Sequence, residues 1–308
     1  MNSSHEVTVL QCTFNGERHL EEQISSIAAQ IAARCHLRVS DDGSTDATLK
    51  LLDGVDATGA LESIIVEPGP GTGFANNFLS LLARTAPASD YFAFCDQDDI
   101  WDADKLDRAI SAIEPYDGDA PLLYCSRSRF ISEAGVVAGQ SPLFCRPPSF
   151  ANALIQNIAG GNTMVFNRAA MDLLQSAGIV DVASHDWWVY MLITGAGGQV
   201  IYDPQPGLGY RQHAGNVIGA NTGTRQRAKR YLGALQGRNQ RWNARNLQAL
   251  EQNIELLAPE SQGVLQQFKV LQTGGLLARL RALRTGGFYA QTPIGNLALY
   301  IATLLKKM

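Results

Sequence analysis

Tyr91-Phe92-Ala93-Phe94-Cys95-Asp96-Gln97-Asp98-Asp99 sets five apolar residues directly against three carboxylates in four positions. A short apolar run of this kind reads as a buried strand, and the abrupt polar end marks where it leaves the sheet. Three β-type runs precede it: Val7-Thr8-Val9-Leu10, Leu37-Arg38-Val39-Ser40 and Ile64-Ile65-Val66. The segments between them read as helices. Leu20, Ile24, Ile27 and Ile31 recur at helical spacing between Leu20 and Ala33, and Thr45 to Leu52 forms a second helix with Ser44 as its cap. The loop Pro68-Gly69-Pro70-Gly71-Thr72-Gly73 leads into a third helix through Ala83. Strand and helix alternating four times predict an α/β fold, a Rossmann-like, mostly parallel sheet flanked by helices. In such sheets ligands bind beyond the carboxyl ends of the strands. The polar clusters after the first, second and fourth strands are therefore expected to meet in one crevice.

Past residue 120 the pattern is less regular, with short strand candidates at Leu122–Cys125, Met164–Phe166 and Gln199–Tyr202. From Thr224 onward it is helical and basic. Residues 1–223 hold 12 Lys and Arg against 26 Asp and Glu, a net charge of −14. Residues 224–308 hold 13 against 3, a net of +10. The chain is therefore expected to divide at Gly223 into two regions with different electrostatic tasks. Charged residues make up 18 % and apolar ones 45 %, which excludes a disordered or low-complexity protein. Five cysteines (Cys12, Cys35, Cys95, Cys125 and Cys145), odd in number and without a C-x-x-C pair, fit neither a disulfide framework nor a zinc site. With no secretory signal in MNSSHEVTVLQ and no long apolar run, the expected location is cytoplasmic, with reduced thiols.

Three neighbouring carboxylates repel one another and call for a cation or hydrogen bonds. Their oxygens suit Mg²⁺ or Mn²⁺, which are usually shared between one or two protein carboxylates and substrate phosphates. The competing reading of Asp98, Asp99 and Asp102 is a helix N-terminus that favours acidic side chains. A second acidic pair lies in Val39-Ser40-Asp41-Asp42-Gly43-Ser44-Thr45-Asp46. A carboxylate there can accept a hydrogen bond from the ring N–H of a bound base, whereas a turn with an N-cap explains Gly43 and Ser44 without needing two Asp residues. The glycine loop at 69–73 lacks the third glycine of G-x-G-x-x-G and the lysine of a P-loop. It reads as a loop over a nucleotide, with Asn76 and Asn77 as polar contacts. Gly160-Gly161-Asn162-Thr163 reads either as part of an acceptor site or as a plain turn.

Thr13-Phe14-Asn15-Gly16-Glu17, then Asp41-Asp42-Gly43-Ser44-Thr45-Asp46, then Asp96-Gln97-Asp98-Asp99 resemble the ordered motifs of family 2 glycosyltransferases, which have the GT-A fold. His185-Asp186-Trp187-Trp188 and Tyr210-Arg211-Gln212-His213-Ala214-Gly215-Asn216-Val217-Ile218-Gly219 narrow the resemblance to the rhamnosyltransferase-like branch that builds bacterial surface polysaccharides. The resemblance covers roughly residues 7–220. It implies a nucleotide-sugar site of Thr13, Phe14, Asn15, Glu17, Asp42, Asn77, Asp96, Gln97 and Arg211. Asp42 would read N3–H of a pyrimidine, Asp96 would face the sugar or ribose, and Arg211 would lie near the diphosphate. Asp98 would be the direct ligand of a divalent metal, Mg²⁺ or Mn²⁺, with His213 completing its shell. Asp186 would be the catalytic base of an inverting transfer. Asn162 and the Trp187-Trp188 pair would lie on the acceptor side, with one tryptophan in the core; the pattern does not say which. Two departures stand out. Many members carry Glu-Asp where this chain has His185-Asp186, and Phe14 replaces a common Tyr, keeping a stacking ring but losing its hydroxyl.

The implied partners are a dTDP- or UDP-sugar donor and a glycan or lipid-linked acceptor. Arg225, Arg227, Lys229 and Arg230 open the basic region, and Leu276-Leu277-Ala278-Arg279-Leu280-Arg281-Ala282-Leu283-Arg284 places Leu276, Leu280 and Leu283 on one helical face. Such a helix suits an anionic membrane surface, here the inner face of the plasma membrane; the alternative is a helical cap or a homo-oligomer contact. No motif for nucleic acid accompanies the charge. Two other functions compete: a catalytically silent nucleotide- or glycan-binding scaffold, and a sugar-1-phosphate nucleotidyltransferase. The latter would want a basic glycine-rich loop after the first strand, where Gln11-Cys12-Thr13-Phe14-Asn15 stands instead.

Overall fold

The computed structural model describes residues 5–56, 59–213 and 238–308. Ala214–Gly219 and the basic residues Arg225, Arg227, Lys229 and Arg230 lie outside the described residues. Four parallel strands, β1 (His5–Thr13), β2 (Ala33–Asp41), β3 (Ser63–Pro68) and β4 (Tyr91–Cys95), alternate with helices α1 (Leu20–Ala28), α2 (Thr48–Asp56) and α3 (Phe74–Arg84). This is the alternation expected from the sequence. After β4 come β5 (Ile100–Trp101), α4 (Lys105–Ile113), β6 (Leu122–Ile131), β7 (Val137–Gln140), α5 (Phe150–Ala153), β8 (Val165–Asn167), α6 (Arg168–Ala177), α7 (His185–Gly195) and β9 (Gln199–Arg211). The sheet runs β3-β2-β1-β4-β8-β6-β9-β5, with β7 paired to β6. Thr13 pairs with Asp41, and Gln11 with Cys95, so the carboxyl ends of β1, β2 and β4 finish side by side.

Alternation along each strand feeds two cores. Val7, Val9, Leu37 and Val39 face α1 and α4, and pack with Ile24, Ile27, Leu106 and Ile110. Leu10, Phe92 and Phe94 face the opposite way, onto Phe78 of α3 and Trp188 of α7. That second core continues into four C-terminal helices, α8 (Arg238–Gln252), α9 (Pro259–Thr273), α10 (Leu276–Thr285) and α11 (Pro293–Leu304), through Leu250, Leu265, Phe268, Leu283 and Leu299. No helix of the described residues is long and apolar enough to cross a membrane. All five cysteines are free, and only Cys145 is exposed.

Two expectations need correction, and one competing reading falls. The first helix ends at Ala28 rather than Ala33; Ala32 takes a left-handed φ of 58° and Ile31 is exposed, outside the helical face it was assigned to. Asp98 and Asp99 do not open a helix. Strand β5 follows them and pairs with β9, α4 begins only at Lys105, and Asp102 forms an ion pair with Arg129. On α10, Leu276 points outward while Leu283 and Arg279 are buried, so the arginine-bearing helix does not present the leucine face expected of it.

Candidate active site

A cavity of about 670 Å³ opens at the carboxyl ends of β1, β2 and β4, closed from the far side by the start of α7 and the end of β9. Thr13, Phe14, Asp42, Asn77, Asp96, Gln97, Asp98, Asn162, Asp186 and His213 all line it. These residues come from segments far apart in the chain, and strand register is what assembles them.

The acidic cluster is the electrostatic centre. Asp96 is half-buried on the cavity wall, and desolvation first, then the charges of Asp98 and Asp186, push its carboxyl up to about 7. Asp99 is likewise raised by burial, then by Asp96 and Asp98. It is a structural carboxylate, accepting from Asn162 Nδ2 at 2.5 Å and the Arg211 amide at 3.2 Å. Asp98 instead faces the cavity, where its Oδ2 lies 2.6 Å from His213 Nε2. Crowded carboxylates whose charge is held back by burial and mutual repulsion are a site that gains by admitting a cation.

Asp186 lies in the first turn of α7. Its Oδ1 accepts from Ser184 Oγ at 2.5 Å and the Trp187 amide at 2.7 Å, and Oδ2 from the Gly161 amide at 3.3 Å. These bonds hold the carboxylate in one orientation while leaving it on the cavity wall. Gly161 is needed for this approach, since a Cβ there would sit 2.7 Å from His185 Nε2. His185 is buried, stacked on Phe78 at 4.0 Å between centroids and edge-on to Phe94. Burial pushes its imidazole down to about 4, so the ring beneath Asp186 is neutral.

The two adjacent carboxylates of the second motif have separate duties. Asp41 accepts from Thr13 Oγ1 at 2.8 Å, from the amides of Gly43 and Ser44, and from Ser44 Oγ. It therefore builds the turn. Asp42 lines the cavity, and its two oxygens accept from the amides of Gly71 at 2.7 Å and Gly73 at 3.0 Å. Those glycines have φ of 68° and 97°, the left-handed region that other residues avoid. The glycine loop is thus fastened across Asp42.

Several expected ligand contacts are braces instead. Gln97 clamps the Phe14 backbone, accepting from its amide at 2.8 Å and donating to its carbonyl at 3.1 Å, which leaves the Phe14 ring exposed at the cavity mouth. Asn15 and Glu17 tie the β1 loop to the β2 loop, Asn15 Oδ1 accepting from Thr45 and Glu17 Oε2 from Ala47, away from the wall. Asn77 is buried and exchanges hydrogen bonds with Ser40. Arg211 does not reach the cavity. Its buried guanidinium donates to the carbonyls of Asp98, Ser132 and Glu133 and pairs with Glu22, so it carries the Asp98 loop from behind. Trp188 is fully buried in the core, as helical geometry separates it by about 100° from Trp187. Trp187 is half-buried, with Nε1 donating to the Ala153 carbonyl and its ring edge-on to Trp242. Neither tryptophan lines the cavity. Phe74 and Phe78 do, although the sequence reading did not single them out, and so does Tyr210, which that reading quoted in its motif without giving it a role. Phe74 directly follows the glycine loop, and Tyr210 directly precedes Arg211, so proximity to a motif was the available signal.

Residues 8–151 match the family model for glycosyl transferase family 2. Over 71 % of its length, and 76 % of the relative's, the chain is 27 % identical to the dTDP-rhamnosyl transferase RfbG of Shigella flexneri. It is 33 % identical to the UDP-Glc:alpha-D-GlcNAc-diphosphoundecaprenol beta-1,3-glucosyltransferase WfgD of Escherichia coli, over 34 % of this chain and 40 % of that one. Among solved structures, S. aureus TarS 1-349 in complex with UDP-GlcNAc superposes with a TM-score of 0.54 at 14 % identity, covering 92 % of this chain and 93 % of that one. The mannosyltransferase PcManGT from Pyrobaculum calidifontis, in complex with GDP-Man and Mn²⁺, gives 0.54 at 18 % identity over 97 % and 79 %. The chain carries a glycosyl transferase family 2 domain and is a glycosyltransferase of the GT-A fold.

Proposed function

We propose that the protein is an inverting, divalent-metal-assisted transferase that moves L-rhamnose from dTDP-rhamnose onto a lipid-linked or growing surface polysaccharide. The observation that carries this reading is the convergence of Asp42, Asp96, Asp98, Asp186 and His213 on one cavity at the strand ends. The choice of donor draws on the similarity to the dTDP-rhamnosyl transferase. Residues 1–223 would carry the transfer, and the basic helices after them would keep the enzyme at the inner face of the plasma membrane, where lipid-linked acceptors lie.

Asp98 and His213 would hold Mg²⁺ or Mn²⁺. A two-residue donor set of carboxylate and imidazole fits ions that fill their remaining positions with water and substrate phosphate. Such an ion neutralises charge on the departing diphosphate. Asp42 accepts N3–H of the base once the glycine loop gives way, and the Phe14 ring at the mouth offers a face for stacking. Asp96 faces the sugar. The acceptor hydroxyl attacks C1 from the side opposite the diphosphate and gives its proton to Asp186, inverting the anomeric centre as dTDP leaves. General-base help of this kind contributes typically 10²–10⁴ in rate.

A UDP-sugar donor is the second reading, favoured by the one feature that Asp42 meets: uracil and thymine present the same N3–H. Thermal stabilisation by dTDP, UDP and GDP, each with and without Mn²⁺, decides between them. A ligand that binds only the native state adds RT ln(1 + [L]/Kd), about 2.7 kcal/mol at a hundredfold excess over Kd. A Mn²⁺-dependent shift with dTDP alone supports the first reading and one with UDP alone the second. GDP stabilising as well as either would overturn the role of Asp42.

A further inference from the structure

Helix α11 and the residue after it contain no charged side chain from Pro293 to Leu305. Leu299 and Thr303 face the core, yet Ile294, Leu297, Tyr300, Ile301, Leu304 and Leu305 are all exposed. At roughly 100° per residue the exposed six cover an arc of about 140°, on the side opposite the buried pair. Ile294 is 66 % exposed, Leu297 61 % and, at the start of α10, Leu277 83 %. The two helices are joined by Arg279, whose buried guanidinium donates to the Thr303 carbonyl. An apolar arc of this kind along one helix marks an interface rather than ordinary exposure.

The charge around it identifies the partner. Residues 274–308 contain five Lys and Arg and no Asp or Glu. Arg281 and Arg284 are exposed on α10, and Lys306-Lys307 follow α11 directly. A second copy of the chain is disfavoured as the occupant, because a two-fold contact would bring these cations against one another. An anionic bilayer satisfies both features, taking the apolar arc into the acyl boundary and the cations at its headgroups. The strongly acidic first 223 residues would be repelled from the same surface, which fixes the orientation of the bound molecule.

We infer that the outward face of α11 docks this protein on an anionic lipid surface. The inference rests on the membrane-surface reading given above but on no assignment of donor, acceptor or base. It is tested without any of them, by co-sedimentation of the full chain with vesicles of phosphatidylcholine alone or mixed with phosphatidylglycerol. The chain is expected to sediment with the mixed vesicles and not with the neutral ones. The double variant Leu297→Glu, Ile301→Glu should fall to the neutral-vesicle background, and Lys306→Ala, Lys307→Ala should weaken partitioning by about thirtyfold. Both variants alter exposed positions, and both should melt at the wild-type temperature, so that a loss of sedimentation is not a loss of fold. Absence of sedimentation with mixed vesicles overturns the proposal. So does a wild-type dimer that the Leu297→Glu, Ile301→Glu variant converts to a monomer, which would give the face to a second copy.

Discussion

His213 and Asp98 lie 115 residues apart in the chain, and Nε2 of the one sits 2.6 Å from Oδ2 of the other. The contact closes the cavity between the end of β9 and the loop after β4, and Arg211 holds that loop from behind through the Asp98 carbonyl. A site made this way depends on both halves of the sheet. Asp98→Asn and His213→Ala are each expected to lower transfer by on the order of 10²–10³ and to remove the Mn²⁺-dependent part of the stabilisation by dTDP. Wild-type turnover in either variant would remove that residue from the proposed metal site.

Asp186→Asn retains the shape of the side chain and its bond to the Gly161 amide is weakened rather than deleted. Turnover is expected to drop roughly 10²–10⁴-fold, with nucleotide-induced stabilisation unchanged. A variant that turns over normally, or that loses nucleotide binding instead, would contradict the role of general base.

Asp41 and Asp42 should separate cleanly. Asp41→Ala leaves Thr13 Oγ1, Ser44 Oγ and two amides without their acceptor, and is expected to destabilise the fold by about 2 kcal/mol or more. Asp42→Ala releases only the glycine loop and should melt near the wild-type temperature while losing nucleotide-induced stabilisation. Melting curves with and without nucleotide read both effects, and equal outcomes for the two variants would refute the division of labour.

His185 gives a pH signature. Its imidazole is held at about 4 by burial, against an ordinary 6.5, so between those values the unfolded chain binds the extra proton and the native one does not. Stability from this group is complete above pH 6.5 and declines as pH falls toward 4, by about 3 kcal/mol in all. Asp96, raised to about 7, titrates in the opposite sense, so the test is a difference. The stability of wild type relative to His185→Phe should decline from pH 7 to pH 4; a constant difference would contradict a neutral buried ring.

Lys105 is buried with Nζ 3.6 Å from the centre of the Trp101 ring, and burial lowers its amine to about 8 from 10.5. The unfolded chain holds that proton more tightly, so charging Lys105 costs about 3 kcal/mol below pH 8. Lys105→Met keeps the stem and removes the charge. It should raise stability at pH 7 by roughly 1–3 kcal/mol, with the gain fading toward pH 10.5; a loss at pH 7 would show that the amine is held favourably.

The parallel half of the sheet was legible because short β-branched and apolar runs alternate there with segments of helical period, even in β3, whose Ile65 and Val66 are exposed at the sheet edge. The other half was not. β6 was read only as Leu122–Cys125 because Ser126, Arg127, Ser128 and Arg129 follow, yet the strand continues to Ile131. Arg129 there pairs with Asp102 and Arg127 donates to the Ser141 carbonyl, partners no local pattern reveals. Pro204 and Pro206 likewise masked the length of β9, which accommodates them at a shift of register against Ser126 and Arg127. In the site, residue types and order pointed to the cavity, but which polar groups face it was decided by neighbours. Arg211 looked like a diphosphate ligand and is consumed by carbonyls, while Gln97 and Asn15 spend their amides on backbone.

The clasp of Gly71 and Gly73 on Asp42 sets how any occupant must come and go. A ligand that takes the Asp42 carboxylate does not find an idle acceptor; it trades places with two backbone donors of the chain itself. A pyrimidine that took it would offer one ring N–H in place of those two amides, so the carboxylate would end one hydrogen bond short and would act less as a source of grip than as a test of fit. A base with no N–H there would evict the loop and return nothing, whereas a matched one would restore half of what it displaces. The same asymmetry would run in reverse after transfer: the loop, with its two donors, would compete for the oxygens held by a spent nucleotide and help it leave.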